Sequence, residues 1–284
     1  MFGDVGQGLV LFLGGLFLYK TKKMDLAGII SCAGVFSVFF GFMYGSFFGF
    51  EDVLKAIWLK PMNQMMDVPL VGRLNAVFVI AIGFGMFIIL ICMVFNIINS
   101  IRRGDTEKTW FDSNAVAGLV FYGSIVLTIG LFISGKKLPA AAILVIMFGV
   151  PLLLMFLKEP LTNLVEKKSK ILPEQKGMFF VQSFFELFEV LLSYLSNTLS
   201  FLRIGAFAVS HAAMMEVVLM LAGATNGGSP NWIVVVLGNI FVCAMEGLIV
   251  GIQVLRLEYY EIFSRFYAGN GREFKPFMKA AHKN

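Results

Sequence analysis

The chain has 284 residues, of which 58% are hydrophobic and 14% charged, with 31 phenylalanines and a net charge of +5. Its mean hydropathy is +0.83. A soluble domain carries about 25% charged residues, so this chain lacks the polar surface that water demands and reads as an all-α, polytopic membrane protein in contact with the lipid bilayer. The charge sits between apolar runs and makes no basic face on a soluble domain, which excludes nucleic acid as a partner.

Seven apolar segments follow one another along the chain, at about 5–19, 26–49, 74–101, 113–134, 140–157, 178–222 and 231–264, each near or above the roughly 20 residues a spanning helix needs. The first is short. It does not read as a signal peptide, because Asp4 stands where a basic n-region belongs and no small-residue cleavage site follows. The second contains "GFMYGSFFG", whose Gly41, Gly45 and Gly49 are four apart and predict a small-xxx-small face for close helix packing. Residues 1–157 thus predict about five spans acting as scaffold. The stretch 158–177, "KEPLTNLVEKKSKILPEQK" with its last residues, predicts a solvated cytoplasmic connector. "NGGSP", from Asn226 to Pro230, predicts a turn before the last helix. Cys32, Cys92 and Cys243 lie singly in apolar runs, without metal-ligand or redox spacing, and read as packing residues. No Walker loop, zinc-protease helix or paired metal ligands appear.

Residues 178–284 differ from the scaffold. As one helix, 178–222 would measure about 67 Å against a hydrocarbon core of about 30 Å. It must tilt, break or project from the membrane, and the last segment has a similar excess. The expected architecture is therefore a transmembrane helix bundle with two long, tilted C-terminal helices.

Basic residues set the orientation. If the loop after the first helix is cytoplasmic, that side holds Lys20, Lys22 and Lys23, then Arg102, Arg103 and Lys108, then Lys158, Lys167, Lys168, Lys170 and Lys176, then Arg265, Arg272, Lys275, Lys279 and Lys283. The other side holds only Lys55, Lys60, Arg73, Lys136 and Lys137. The positive-inside rule selects this arrangement, with a cytoplasmic C-terminus. Arg203 and Arg256 remain, and both fall inside spans.

Steps of seven along the sixth segment give Glu189, Ser196, Arg203 and Ser210, a slowly drifting stripe flanked by Ser193, Asn197, Ser200 and His211. Along the last segment the same step gives Asn239, Glu246, Gln253 and Tyr260, with Arg256 and Glu258 nearby. Two polar seams that simply pair would hold a bundle together, as serine and asparagine do in membranes. On that reading Glu246 and Arg256 make a structural ion pair and His211 a hydrogen-bonded packing residue. Arg203 resists it. A charge at the bilayer centre costs about 3 to over 10 kcal/mol, and a guanidinium cannot shed its proton. Ion translocation accounts for it: polar groups carry the ion part-way from each side, and a fixed cation between the two paths blocks direct passage and draws a carboxylate on a moving partner to release its ion.

"SNTLSFLRIGAFAVSHAAM" resembles the seventh transmembrane helix of the membrane stator subunit of V/A-type rotary ATPases, called subunit a or subunit I, and "MEGLIVGIQVLRLEYYEIFSRFYAGNGREFKPF" resembles its eighth helix and C-terminal tail. "MFGDVGQG" is similar to the junction of its first two helices and "FGFMYGSFFGFED" to its third. The resemblance implies that Arg203 faces the carboxylate of a rotating proteolipid c/K ring, that Arg256 is a second arginine nearby, and that Glu189, His211 and Glu246 belong to two aqueous half-channels. With the stripe neighbours Ser196, Ser200 and Gln253, these form the expected ion-translocating set. Ser210 stands where many relatives carry alanine. The family has a large cytoplasmic domain before eight helices, and this chain begins inside the first hairpin, which implies a C-terminal piece one helix short. Stator and peripheral-stalk subunits are the other implied partners, through that N-terminal domain, and a prokaryotic cell membrane is the implied location. The ion, H⁺ or Na⁺, is left open. No catalytic residue, cofactor or metal is expected, since ATP chemistry belongs to other subunits of the family's complex. The alternative from another class is a secondary transporter with a substrate at the Arg203–Glu246 level. It calls for inverted repeats and broken short helices, and neither is evident in the sequence.

Overall fold

The computed structural model describes residues 3–50, 53–61, 65–68, 72–136, 139–165, 176–224, 230–267 and 269. Most of the "NGGSP" turn, half of the 158–177 connector and the C-terminal tail from 270 lie outside the described residues. The protein is an all-α polytopic helix bundle. Its helices are α1 (Val5–Lys22), α2 (Asp25–Tyr44), α3 (Ala76–Arg103), the short α4 (Thr106–Trp110), α5 (Val116–Ile133), α6 (Ala141–Phe156), α7 (Lys158–Val165), α8 (Lys176–Ser200), α9 (Leu202–Leu221) and α10 (Trp232–Leu257). α10 runs into a π-helical turn (Glu258–Phe263) and a last α-turn, α11 (Ser264–Phe266).

Among the described residues, five helical stretches are long and apolar enough to cross a membrane: Asp25–Tyr44, Ala76–Arg103, Val116–Ile133, Gly177–Leu221 and Trp232–Phe266. α6 and α7 form a sixth only if counted together, and they bend by 73° where they meet. α1 is helical but less apolar, because Gln7, four glycines, Lys20 and Lys22 dilute it. Ahead of α3 lies one small antiparallel hairpin, β1 (Met65–Val68) and β2 (Gly72–Asn75), in register Met65↔Asn75 to Val68↔Gly72.

α1 and α2 form a helical hairpin with backbones in contact. A Cβ at Gly8 would lie 2.8 Å from the Val38 nitrogen, at Gly15 2.7 Å from Ser31, at Gly34 2.5 Å from Phe12 and at Gly41 2.4 Å from Val5. The small face is therefore Gly8 and Gly15 against Gly34 and Gly41, each pair seven apart. The expected Gly41–Gly45–Gly49 row is corrected: α2 ends at Tyr44, Gly45 caps it at φ 73°, and Gly49 sits in the following turn at φ 83°. Those two glycines serve left-handed backbone that a Cβ disfavours.

The main core lies where α3, α5, α6 and α8 meet the start of α9. Ile89, Met93, Tyr122 and Phe201 are its most enclosed side chains. Lipid is as apolar as leucine, so contact rather than escape from water holds such helices together. Phe201 shows it: the residue at the one-residue break between α8 and α9 is wholly buried, and its ring fills the space a side chain at Gly85 would take. A smaller cluster, Met215, Val218 and Val242, joins α9 to α10.

Candidate functional site

Arg203 is half-buried, two residues beyond the α8–α9 break at Phe201. Its Nη1 donates to the Gln253 carbonyl of α10 (3.1 Å) and its Nη2 to Ser200 Oγ (3.3 Å). Among the described residues no carboxylate lies within 4.0 Å of it; the ion pairs there are Lys108–Asp105, Lys158–Glu186 and His211–Glu246. A guanidinium has five donors, so this one is held on one side by two neutral acceptors and keeps donors to spare.

Two polar clusters flank it. On one side, Ser200 Oγ also donates to Glu261 Oε1. Glu261 is 6% exposed, and its Oε2 has no hydrogen-bond partner among the described residues. One turn on, Arg265, equally buried, donates from Nη1 to Asn114 Oδ1 (3.0 Å) and lies over the Tyr194 ring at 5.8 Å. Beside Arg265 is a cavity of about 100 Å³ lined by Ser113, Asn114, Ser193, Asn197 and Ser264, with room for several waters.

On the other side, His211 is eight residues from Arg203, about 12 Å along the axis. His211 Nδ1 and Glu246 Oε2 are 2.7 Å apart, both groups 4% exposed. A cavity of about 20 Å³, room for one water, adjoins His211 and is lined by Tyr44, Ser46 and Met215. Beyond it Gln7 Nε2 donates to Asn239 Oδ1 (2.9 Å).

The expected residues thus fall into separate groups. Arg203, Ser200 and the Gln253 backbone meet at the centre, and His211 meets Glu246 further along. Arg203 and Glu246 do not touch: among the described residues the carboxylate pairs with His211 and the guanidinium with the Gln253 carbonyl and Ser200. Glu246 pairs with His211 and not with Arg256, which is exposed; ten residues apart on one helix, Glu246 and Arg256 are beyond the three- or four-residue spacing of neighbours. Glu189 and Ser196 are exposed on α8, while Arg203 and Ser210 are half-buried on α9.

Sequence reasoning passed over Glu261 and Gln7, and counted Arg265 only among the cytoplasmic basic residues, whereas it is buried within the Trp232–Phe266 stretch. For Glu261 and Arg265, the π-helical turn is the reason. Steps of seven pointed to Tyr260, which is 70% exposed, while Glu261 faces inward. A π turn takes in one more residue than an α-turn, so Glu261 occupies the place a regular helix gives Tyr260. The available signal was the four-residue spacing of Leu257, Glu261 and Arg265, all buried.

Residues 161–279 match the V-type ATPase 116kDa subunit family. Along 97% of its length the chain is 27% identical to the A-type ATP synthase subunit I of Aeropyrum pernix, of which it covers 44%. It is 42% identical over 100 residues, 32% of the chain and 14% of the relative, to the A-type ATP synthase subunit I of Saccharolobus solfataricus. It is 35% identical over 106 residues, 33% of the chain and 13% of the relative, to the human V-type proton ATPase 116 kDa subunit a 3. The chain spans less than half the length of these curated relatives.

Proposed function

We propose, from the premise that the chain belongs to the subunit a/subunit I family of V/A-type rotary ATPases, that it is the ion-translocating membrane part of the stator. In this reading it lies against a rotating proteolipid ring and provides two half-channels that meet at Arg203. The single observation that carries it is the setting of that arginine: inside a 45-residue apolar helical stretch, held by neutral acceptors, with no carboxylate within 4.0 Å among the described residues. A cation so placed is costly, and a ring carboxylate arriving from outside the chain completes its environment and is made to release its ion. The ring-facing stripe is Glu189, Ser196, Arg203 and Ser210. Water reaches it from one side by Ser200, Glu261 and the Arg265 cavity, and from the other by His211, Glu246 and the Gln7–Asn239 pair. Arg256, exposed on α10, adds a second cation to the ring side. Residues 1–157 serve as scaffold, 158–177 as connector and 178–284 as the channel, and ATP is handled by other subunits.

Cross-linking tests the placement. In the assembled complex, Ser196→Cys and Ser210→Cys should each form a disulfide with a cysteine beside the ring carboxylate. Cross-links confined to this chain, in a complex that contains the ring, would sink the proposal. The accompanying topology places the C-terminus in the cytoplasm, so Lys20→Cys should label from the cytoplasmic side only and Lys136→Cys from the opposite side only.

A further inference from the structure

We infer that Glu261 is a positioning residue for Arg203, acting through Ser200. This inference rests on the reading of Arg203 given above. The Ser200 hydroxyl has one proton and gives it to Glu261 Oε1, which leaves its lone pairs to accept from Arg203 Nη2. A serine within a helix otherwise turns its hydroxyl to the carbonyl four residues back. The carboxylate prevents that turn and holds the hydroxyl toward the guanidinium. Arg203 is thereby fixed at both ends of its fork, by α10 through the Gln253 carbonyl and by the π turn through Glu261 and Ser200.

Three features of the fold hold Glu261 and Ser200 in place. The π-helical turn directs it inward while its neighbour Tyr260 points out, 70% exposed. Arg265, packed over Tyr194 and bonded to Asn114, anchors the turn that follows. Phe201, next to Ser200, is seated against Gly85, so the hydroxyl is delivered from a fixed point of the backbone. A buried carboxylate is costly in such surroundings, and Glu261 has no basic group within 4.0 Å among the described residues. A hydrogen bond that sets the angle of the central cation is a function that justifies its place.

The test is ATP-driven ion uptake by the assembled complex in vesicles, with ATPase activity and subunit content measured alongside, for Glu261→Ala, Glu261→Gln, Ser200→Ala, the double variant Ser200→Ala/Glu261→Ala, and Arg203→Ala. Loss of a hydrogen bond to a charged group corresponds to about a tenfold effect. We expect Glu261→Ala and Ser200→Ala each to lose about tenfold in coupled uptake, and the double variant to lose no more than either single one. Glu261→Gln should retain most of the activity, since its amide oxygen still accepts from Ser200. That rescue separates positioning from a merely structural role, and also from a proton-carrying one. Glu261→Gln as impaired as Glu261→Ala, additive losses in the double variant, or full uptake by Glu261→Ala overturns the inference. If Glu261→Ala fails to assemble, the glutamine variant and Ser200→Ala decide by the same criteria. Normal uptake by Arg203→Ala refutes the reading of Arg203 itself, whereas an inactive Arg203→Ala beside an active Glu261→Ala refutes only the role of Glu261.

Discussion

Asp4 and Arg203 are both charged residues set among apolar helices, and they are treated in opposite ways. Asp4 is fully buried, and its carboxylate accepts four hydrogen bonds: from the Gln7 and Phe48 nitrogens at 3.0 and 2.9 Å, from Ser46 Oγ at 2.7 Å and from the Gly49 nitrogen at 2.9 Å. It caps α1 and ties the turn after α2 back to it, so its cost of burial is met within the chain. Arg203 is left with neutral acceptors on one side and donors to spare. A satisfied charge locks a fold together, whereas an incompletely satisfied one awaits a partner. Under the function proposed above, that difference is the one between a structural charge and a functional one.

Removing Arg203 should give the largest effect. In an assembled complex Arg203→Ala is expected to lower ATP-coupled ion uptake at least a hundredfold, or about 2.7 kcal/mol, which a charge-assisted contact readily supplies, while subunit content stays intact. If Arg203 stands between two half-channels as proposed, passive ion leak should also rise. Arg203→Lys is expected to fail nearly as badly, because an ammonium lacks the planar fork that bridges Ser200 Oγ and the Gln253 carbonyl. Near wild-type uptake by either variant would undo the contrast with Asp4.

Asp4→Ala should act on the other observable. It strands the Phe48 and Gly49 nitrogens and the Ser46 hydroxyl, at a cost of about 3 kcal/mol or more. The expected result is a lower unfolding temperature and a reduced yield of complex, with near-normal uptake per assembled complex. Asp4→Asn should be nearly as harmful, since its amide NH₂ must oppose one pair of donors. A normal yield for both variants would mean that the carboxylate does not hold the hairpin.

How far the sequence carries such distinctions depends on the regularity of the helices. The apolar runs around α3, α5 and α9 are legible because hydrophobic length reports directly on a membrane span, and Arg203 stands out because nothing else in its stretch is cationic. Seam positions 239, 246 and 253 follow from a uniform helical period; Tyr260 does not, because the π turn at Glu258–Phe263 shifts the register by one residue. Gly45 and Gly49 look like a continuation of the Gly41 row until the helix is seen to end at Tyr44. Gln7 reaching Asn239, and Asp4 reaching the turn after α2, are contacts across long separations that no local period encodes.

Glu246→Gln should have a smaller effect than either change at Asp4 or Arg203. The side chain keeps an oxygen for His211 Nδ1, and neighbouring water replaces part of what the carboxylate did. A loss of about three- to tenfold in coupled uptake is expected, roughly one hydrogen bond's worth. A loss as deep as that of Arg203→Ala would make Glu246, like Arg203, a charge that cannot be replaced.

Ser210→Ala should have the smallest effect, and it bears most directly on why Arg203 matters. Ser210 lies seven residues beyond Arg203 on the same stripe and is likewise half-buried. Its surroundings differ: it borders an apolar groove between α9 and α10 lined by Met214, Val217, Leu237 and Phe241, and its hydroxyl makes no hydrogen bond among the described residues beyond any to its own helix. Removing that hydroxyl strands nothing, and alanine is at least as good a helix former. Coupled uptake should therefore stay within about twofold of wild type, the scale of a few tenths of a kcal/mol expected when no partner is lost. If Ser210→Ala instead cut uptake tenfold with assembly intact, polarity along the whole stripe would be what the proposed ring partner requires. The guanidinium would then be one polar contact among several, and the distinction between an open charge and a closed one would no longer explain the site.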